Sequence, residues 1–245
     1  MAGVTDLLAT ARRVYEEEGV APLFLRTAAF AVRWLVRYES FYVFQYDRDA
    51  FARLREEDFL PTTDNALPRV LSTSQEADEL EAQGFRFYER VPHARRRLDA
   101  GARAFCVFVG QELGCVAWLC TTQQAKDSLG EPPVRVDFHN NEAWVGGFWT
   151  DPSYRRMRLH SYNIYRILDC PFREGILMER YVVQKRNRAA LRAESRAAPT
   201  VYAEGRLLKV LWWKRWKERP IGADVEPVQS QYAGEDSTSR PLTIE

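Results

Sequence analysis

The feature that most constrains this chain is an alternation that begins at Arg69 and ends at Trp213, in which short apolar runs take turns with amphipathic helical stretches. Val70 and Leu71 form a short strand, and Thr73 with Glu76 makes a capping box for a helix that Gly84 stops. A further helix, started or broken at Pro92, runs to Gly101 with Arg95, Arg96 and Arg97 on its solvated face. Two strands, Ala104 to Val109 and Leu113 to Cys120, join at a turn on Gly110 and Gln111. After a loop through Pro132 and Pro133 comes a strand from Glu142 to Thr150. A helix from Arg156 to Leu168 follows, with Met157, Ile164 and Leu168 inward and small Ser161 on the same face. Strand Ile176 to Gln184, helix Asn187 to Ala197 and a hairpin through Gly205 to Trp213 complete the order, with Leu207 to Trp213 expected as a core strand. Such an order specifies an α/β domain with a mixed central sheet and helices on both faces.

Ahead of it, the spacing predicts an N-terminal helical hairpin. One helix spans Thr5 to Glu18 and stops at Gly19; a second starts at Pro22 and runs through Tyr38. Arg26, Arg33 and Arg37 share one side of the second helix, with Leu23, Phe24, Phe30, Trp34 and Leu35 as its apolar part. This basic amphipathic hairpin either caps the domain's own core or makes a peripheral contact with an anionic membrane. Phe41 to Tyr46 reads as a strand. Ile221 to Glu245 holds five carboxylates and one arginine among Pro, Ser, Thr and Gly, the composition of a solvated, disordered acidic tail. The expected division is therefore 1–66, 67–220 and 221–245.

With 35 basic and 34 acidic residues, the charge balance gives no reason to expect a nucleic acid partner. Cys106, Cys115, Cys120 and Cys170 lack paired zinc-site spacing, so no metal is expected; with no secretory signal before them they read as reduced thiols of a cytoplasmic protein. Cys106 and Cys115 either face each other across the hairpin or pack as small apolar groups. No run reaches the roughly 18 apolar residues of a spanning helix. Oligomeric state leaves no trace in the sequence.

The block Val145-Gly-Gly-Phe-Trp-Thr-Asp-Pro-Ser-Tyr-Arg-Arg-Met-Arg-Leu-His-Ser161 resembles the fourth strand, cofactor loop and following helix of the GNAT superfamily of acyl-CoA N-acyltransferases, whose text reads V-x-P-x-Y-R-G-x-G-[IL]-G-[ST]. Asn187 to Ala197 is similar to a second segment of that family, and the likeness covers Leu67 to Trp213. The N-terminal hairpin followed by Arg37 to Phe44 is similar to GNAT proteins of bacterial surface-polysaccharide gene clusters.

A loop entering a helix presents unpaired N–H groups at the positive end of the dipole and so binds a pyrophosphate. Here Arg156, Arg158 and His160 stand where the family has glycines, while Arg155 and Ser161 match it. Either the arginines replace backbone contacts with charge-assisted ones to phosphate, or the cofactor site is remodelled or dead. The resemblance implies that Phe148, Trp149 and Thr150 hold the pantetheine arm of acetyl-CoA or another acyl-CoA. Arg155, Arg156, Arg158, Leu159, His160 and Ser161 would surround its phosphates, and Asn187 would contact the arm or simply cap its helix. It also implies a carboxylate base at the strand start, Glu142, with Asp137 and His139 as alternatives. The family's acidic tyrosine is replaced by Glu194; Tyr181 and Tyr202 are the substitutes. Trp118, Trp144 and Trp149 could line a pocket. The implied function is acyl transfer to an amine of a small molecule, such as an amino sugar or amino acid. Acyl carrier protein as donor, or a binding protein without catalysis, are the alternatives.

Overall fold

The computed structural model describes residues 35–221 apart from 131, 196 and 198. The first predicted helix, the second as far as Trp34, and the acidic stretch past Ile221 lie outside the described residues. Two compact units are present, one of 1–39 with 206–217 and the other of 40–205 with 218–245. Residues 40–66, grouped by sequence with the N-terminal segment, thus fall in the second unit.

The strands are β1 (Val36–Asp47), β2 (Ala66–Leu71), β3 (Arg103–Val109), β4 (Glu112–Cys120), β5 (Glu142–Thr150), β6 (Met178–Gln184), β7 (Thr200–Val210) and β8 (Trp213–Pro220). The helices are α1 (Arg48–Phe51), α2 (Ser74–Ala82), α3 (Ala94–Asp99), α4 (Gln123–Ser128), α5 (Leu159–Arg173) and α6 (Arg188–Ser195). The strands form one mixed sheet in the order β2-β3-β4-β5-β6-β1-β7-β8. Pairing is antiparallel from β2 through β5 and between β6 and β1, but parallel between β5 and β6.

Alternation along the strands sends side chains to opposite faces. Ala117, Leu119, Ala143, Val145, Tyr181 and Val183 meet Ile164, Ile167, Leu168 and Phe172 of α5 in one core. Each of those four helix side chains contributes about 1.5–3 kcal/mol of apolar burial. The intervening β4 and β5 residues Trp118 and Trp144 are wholly buried on the other face. There the Arg97 guanidinium of α3 lies 5.2 Å from the Trp118 ring and Lys126 Nζ of α4 lies 5.0 Å from that of Trp144. Helices therefore cover both faces, and neither tryptophan is left to line a pocket.

Thr73 accepts from the Glu76 N–H to start α2, and Gly84, in left-handed backbone, ends its turn. Three sequence expectations are corrected. Val36 to Tyr38 belong to a strand, because β1 begins five residues ahead of the aromatic run Phe41 to Tyr46. The helix expected from Arg156 begins at Leu159, since Arg156 and Arg158 take left-handed backbone that no helix tolerates. Leu207 to Trp213 is not one core strand. It ends β7, turns at Leu211 and Trp212 and begins the largely exposed β8, whose frequent cations keep it at the surface.

Candidate functional site

The parallel pairing of β5 with β6 consists of Glu142 with Met178, Ala143 with Glu179 and Trp144 with Arg180, and then stops. Beyond Trp144 the β5 edge facing β6 is unpaired with it, while its other edge remains joined to β4 through Val116–Trp149 and Cys115–Thr150. A bulge separates these last pairs from the earlier ones. Gly147 sits there at φ +60°, where an added Cβ would lie 2.8 Å from Trp118 Cδ1; only glycine fits both the conformation and the space. The bulge lies in the stretch of β5 that has parted from β6, beside the opening between the two strands.

That opening is part of a cavity of about 1180 Å³, lined on the β5 side by Phe148, Trp149 and Thr150 and on the α5 side by Leu159, His160 and Ser161. Arg155, Arg156 and Arg158 form its basic wall, and Asn187 closes it at the head of α6. All ten residues implied by the resemblance as cofactor contacts thus line one space. Asn187 also caps α6, its Oδ1 accepting from the Ala190 N–H at 3.2 Å.

The loop between β5 and α5 keeps a backbone shape that its side chains oppose. Arg156 and Arg158 have φ of +68° and +60°, at a cost of about 1–2 kcal/mol each for a residue with a Cβ. Neighbouring contacts hold them: the Arg158 guanidinium donates to the Asp58 carbonyl, and the Thr62 N–H donates to the Met157 carbonyl at 3.1 Å. Asp151 anchors the loop's start by accepting from the Ser153 N–H at 2.8 Å. No side chain caps α5, so its first N–H groups point into the cavity region without intrahelical partners. Helix terminus, left-handed turns and arginines together concentrate positive charge and N–H donors at this end of the cavity.

Deeper in, His160 lies edge-on to Phe148, with ring centroids 5.4 Å apart, and its Nε2 is 3.6 Å from Glu194 Oε1. Glu194 is buried and accepts from the Tyr181 hydroxyl at 2.7 Å. Burial, followed by the nearby Glu194 charge, pushes the Tyr181 phenol well above its ordinary range, so Tyr181 stays neutral and donates. Tyr46 and Glu179 complete this interior. They face each other across β1 and β6, and neither the Tyr46 hydroxyl nor the Glu179 carboxylate has a hydrogen-bond partner. Burial raises the Glu179 carboxyl well above the usual range, with the Arg103 charge opposing. Neither residue stood out in the sequence, although the alternation Glu179-x-Tyr181-x-Val183 places Glu179 on the buried face.

Glu142 is elsewhere. It lines a second cavity of about 570 Å³ with Gln123, Lys126, Arg135, Asp137 and Arg180, accepting from Arg180 Nη2 and from the Asp137 N–H, each at 2.7 Å. The parallel pairing puts Glu142 at the closed end of the β5–β6 pair, so it does not face Phe148 and Thr150. His139 is exposed on the turn Phe138–Asn140. Tyr202 lies under Arg180 and donates to Glu218 at 2.6 Å, and burial pushes its phenol up to about 12. The cysteines are free; Cys115 pairs with Val107 rather than facing Cys106, and its thiol meets the Leu159 carbonyl at 3.4 Å. Among the described residues no group of His, Cys, Asp and Glu is arranged to hold a metal, and no helix is long and apolar enough to cross a membrane.

The mixed sheet, the parallel pair that separates and the loop entering α5 are those of a GNAT-like α/β fold. No family model and no curated protein matches the sequence. Among solved structures, it is similar to a GCN5-related N-acetyltransferase from Sphaerobacter thermophilus at 13% identity, covering 81% of this chain and 58% of that one with a TM-score of 0.42. A putative GNAT-family acetyltransferase from Novosphingobium aromaticivorans shares 15% identity over 70% of this chain and 65% of that one, with a TM-score of 0.44. A Drosophila protein shares 10% identity over 78% and 58%, with a TM-score of 0.47. The chain thus spans under two thirds of the length of each of these three.

Proposed function

We propose that this chain is an N-acyltransferase that moves an acetyl or longer acyl group from CoA to an amine of a small molecule, such as an amino sugar or amino acid. The observation that carries the reading is the slot that opens where β5 parts from β6, at the uncapped, arginine-walled start of α5. A pantetheine arm suits such a slot because free strand groups on Phe148 and Thr150 can pair with its amides, as a further strand would. The α5 N-terminus and Arg155, Arg156 and Arg158 would take the phosphates. Bound acyl-CoA would supply an activated thioester carbonyl at the inner end of the slot.

As the amine adds to the thioester carbonyl and the C–S bond breaks, His160, on the cavity wall beside Phe148, would take the amine's proton and the departing CoA thiolate would receive one in turn. Glu194 faces the imidazole and would steady its charged form, and Tyr181 holds Glu194 in place. Glu194 then acts through His160, and Glu142, in the other cavity, is assigned no step. The test is release of free thiol from acetyl-CoA on incubation with a panel of amino sugars and amino acids. Turnover by the native chain and its loss in His160→Ala, with CoA binding retained, is the expected result. Turnover unaffected by His160→Ala would remove the histidine from the mechanism, and no turnover with any amine would leave a binding protein.

A further inference from the structure

We infer that the tip of the β7–β8 hairpin is a docking surface for an anionic phospholipid membrane. This goes beyond the acyl-transfer reading and stands on separate residues. Leu211 and Trp212 make the turn, and Trp212 is 87% exposed, with Leu211 at 43% and Trp213 at 49%. Leu211 holds left-handed backbone, and its N–H donates to the Leu35 carbonyl at 2.9 Å, which brings the start of β1 and its 59%-exposed Tyr38 to the same end. Large apolar groups gathered this way are not a surface that water favours.

The charges complete the pattern. Arg206 to Lys217 contains five cations, Arg206, Lys209, Lys214, Arg215 and Lys217, and no carboxylate; all five are exposed. In sequence, residues 20–38 carry three arginines and likewise no carboxylate. Tryptophan and tyrosine prefer the headgroup level of a bilayer, and lysine and arginine behind them meet anionic lipid. Single-stranded nucleic acid also takes aromatics and cations, through base stacking. Leu211 at the turn offers no such face and suits an acyl boundary instead.

The experiment uses the full chain and vesicles of phosphatidylcholine with or without phosphatidylglycerol. Cosedimentation should require phosphatidylglycerol, weaken as salt rises and shift tryptophan emission to the blue. Replacing Lys214 and Arg215 with alanine should weaken partitioning about 30-fold, from about fivefold per cation. Trp212→Ala, at a position outside the core, should reduce both binding and blue shift without altering the melting temperature. No cosedimentation with phosphatidylglycerol vesicles, equal partitioning of the variants, or displacement of the chain from vesicles by single-stranded DNA would each overturn the inference.

Discussion

Arg156 separates the role of the loop's backbone from that of its charge. Its side chain is exposed on the cavity wall, and its φ of +68° belongs to glycine's territory. Arg156→Gly removes a conformational cost of about 1–2 kcal/mol but adds about 0.4–1 kcal/mol of freedom to the unfolded chain. The net gain is about 0.5–1 kcal/mol, or about 1–4 °C in melting temperature for a chain of this size. Arg156→Ala keeps the Cβ and hence the strain, so it should melt close to the native chain. Both variants lose the same guanidinium and should weaken CoA binding alike, by about tenfold if one charge-assisted contact of about 1.5 kcal/mol is lost. Thermal melts and CoA titrations of the three proteins read out both quantities. Equal melting of the Gly and Ala variants would refute the strain argument, and undiminished CoA binding would leave Arg156 as surface charge.

Other outcomes follow from the interior. Gly147→Ala should cost about 1–3 kcal/mol, because the new Cβ meets Trp118 in left-handed backbone, and should weaken CoA binding as the bulge deforms; a melt and a titration check both. Tyr181→Phe leaves buried Glu194 without its donor and should lower stability by about 1–3 kcal/mol in denaturant unfolding. Glu179 titrates higher folded than unfolded, so its contribution is intact below its unfolded pKa and is lost as pH rises toward its folded one, at about 1.4 kcal/mol per pH unit. Glu179→Gln should therefore gain on the native chain as pH is raised from the acid side, and parallel stability curves would contradict this.

The strand Glu142–Thr150 is legible in the sequence to the residue because apolar and aromatic groups run between clear stops. So are α2, which Thr73 and Gly84 delimit, and the β3–β4 hairpin around Gly110. Helix α4 was not, since its cap Thr122 faces Ala125 where a capping box would show Glu or Gln. The loop misled in the other direction: arginines at left-handed positions contradict local preference, and only tertiary contacts such as Arg158 to Asp58 keep them there. The residues that the resemblance implies as cofactor contacts converge because all but Asn187 share one strand end, the loop after it and one helix start. The separation of Glu142 from them was illegible, because it depends on β6 pairing in parallel and bringing Arg180 to the closed end. The tryptophans of the last hairpin read as core, yet the cations around them leave that strand at the surface.

The most direct test of the central claim, that the parted strands and the start of α5 hold CoA, is the melting temperature of the full chain as CoA is added. A ligand at about 100 times its Kd stabilises the folded state by about 2.7 kcal/mol, which here is about 5–11 °C. CoA should give a shift of that order, and phosphopantetheine alone, which lacks the pyrophosphate and nucleotide, a smaller one. A melting temperature unmoved by CoA at every concentration would contradict the claim.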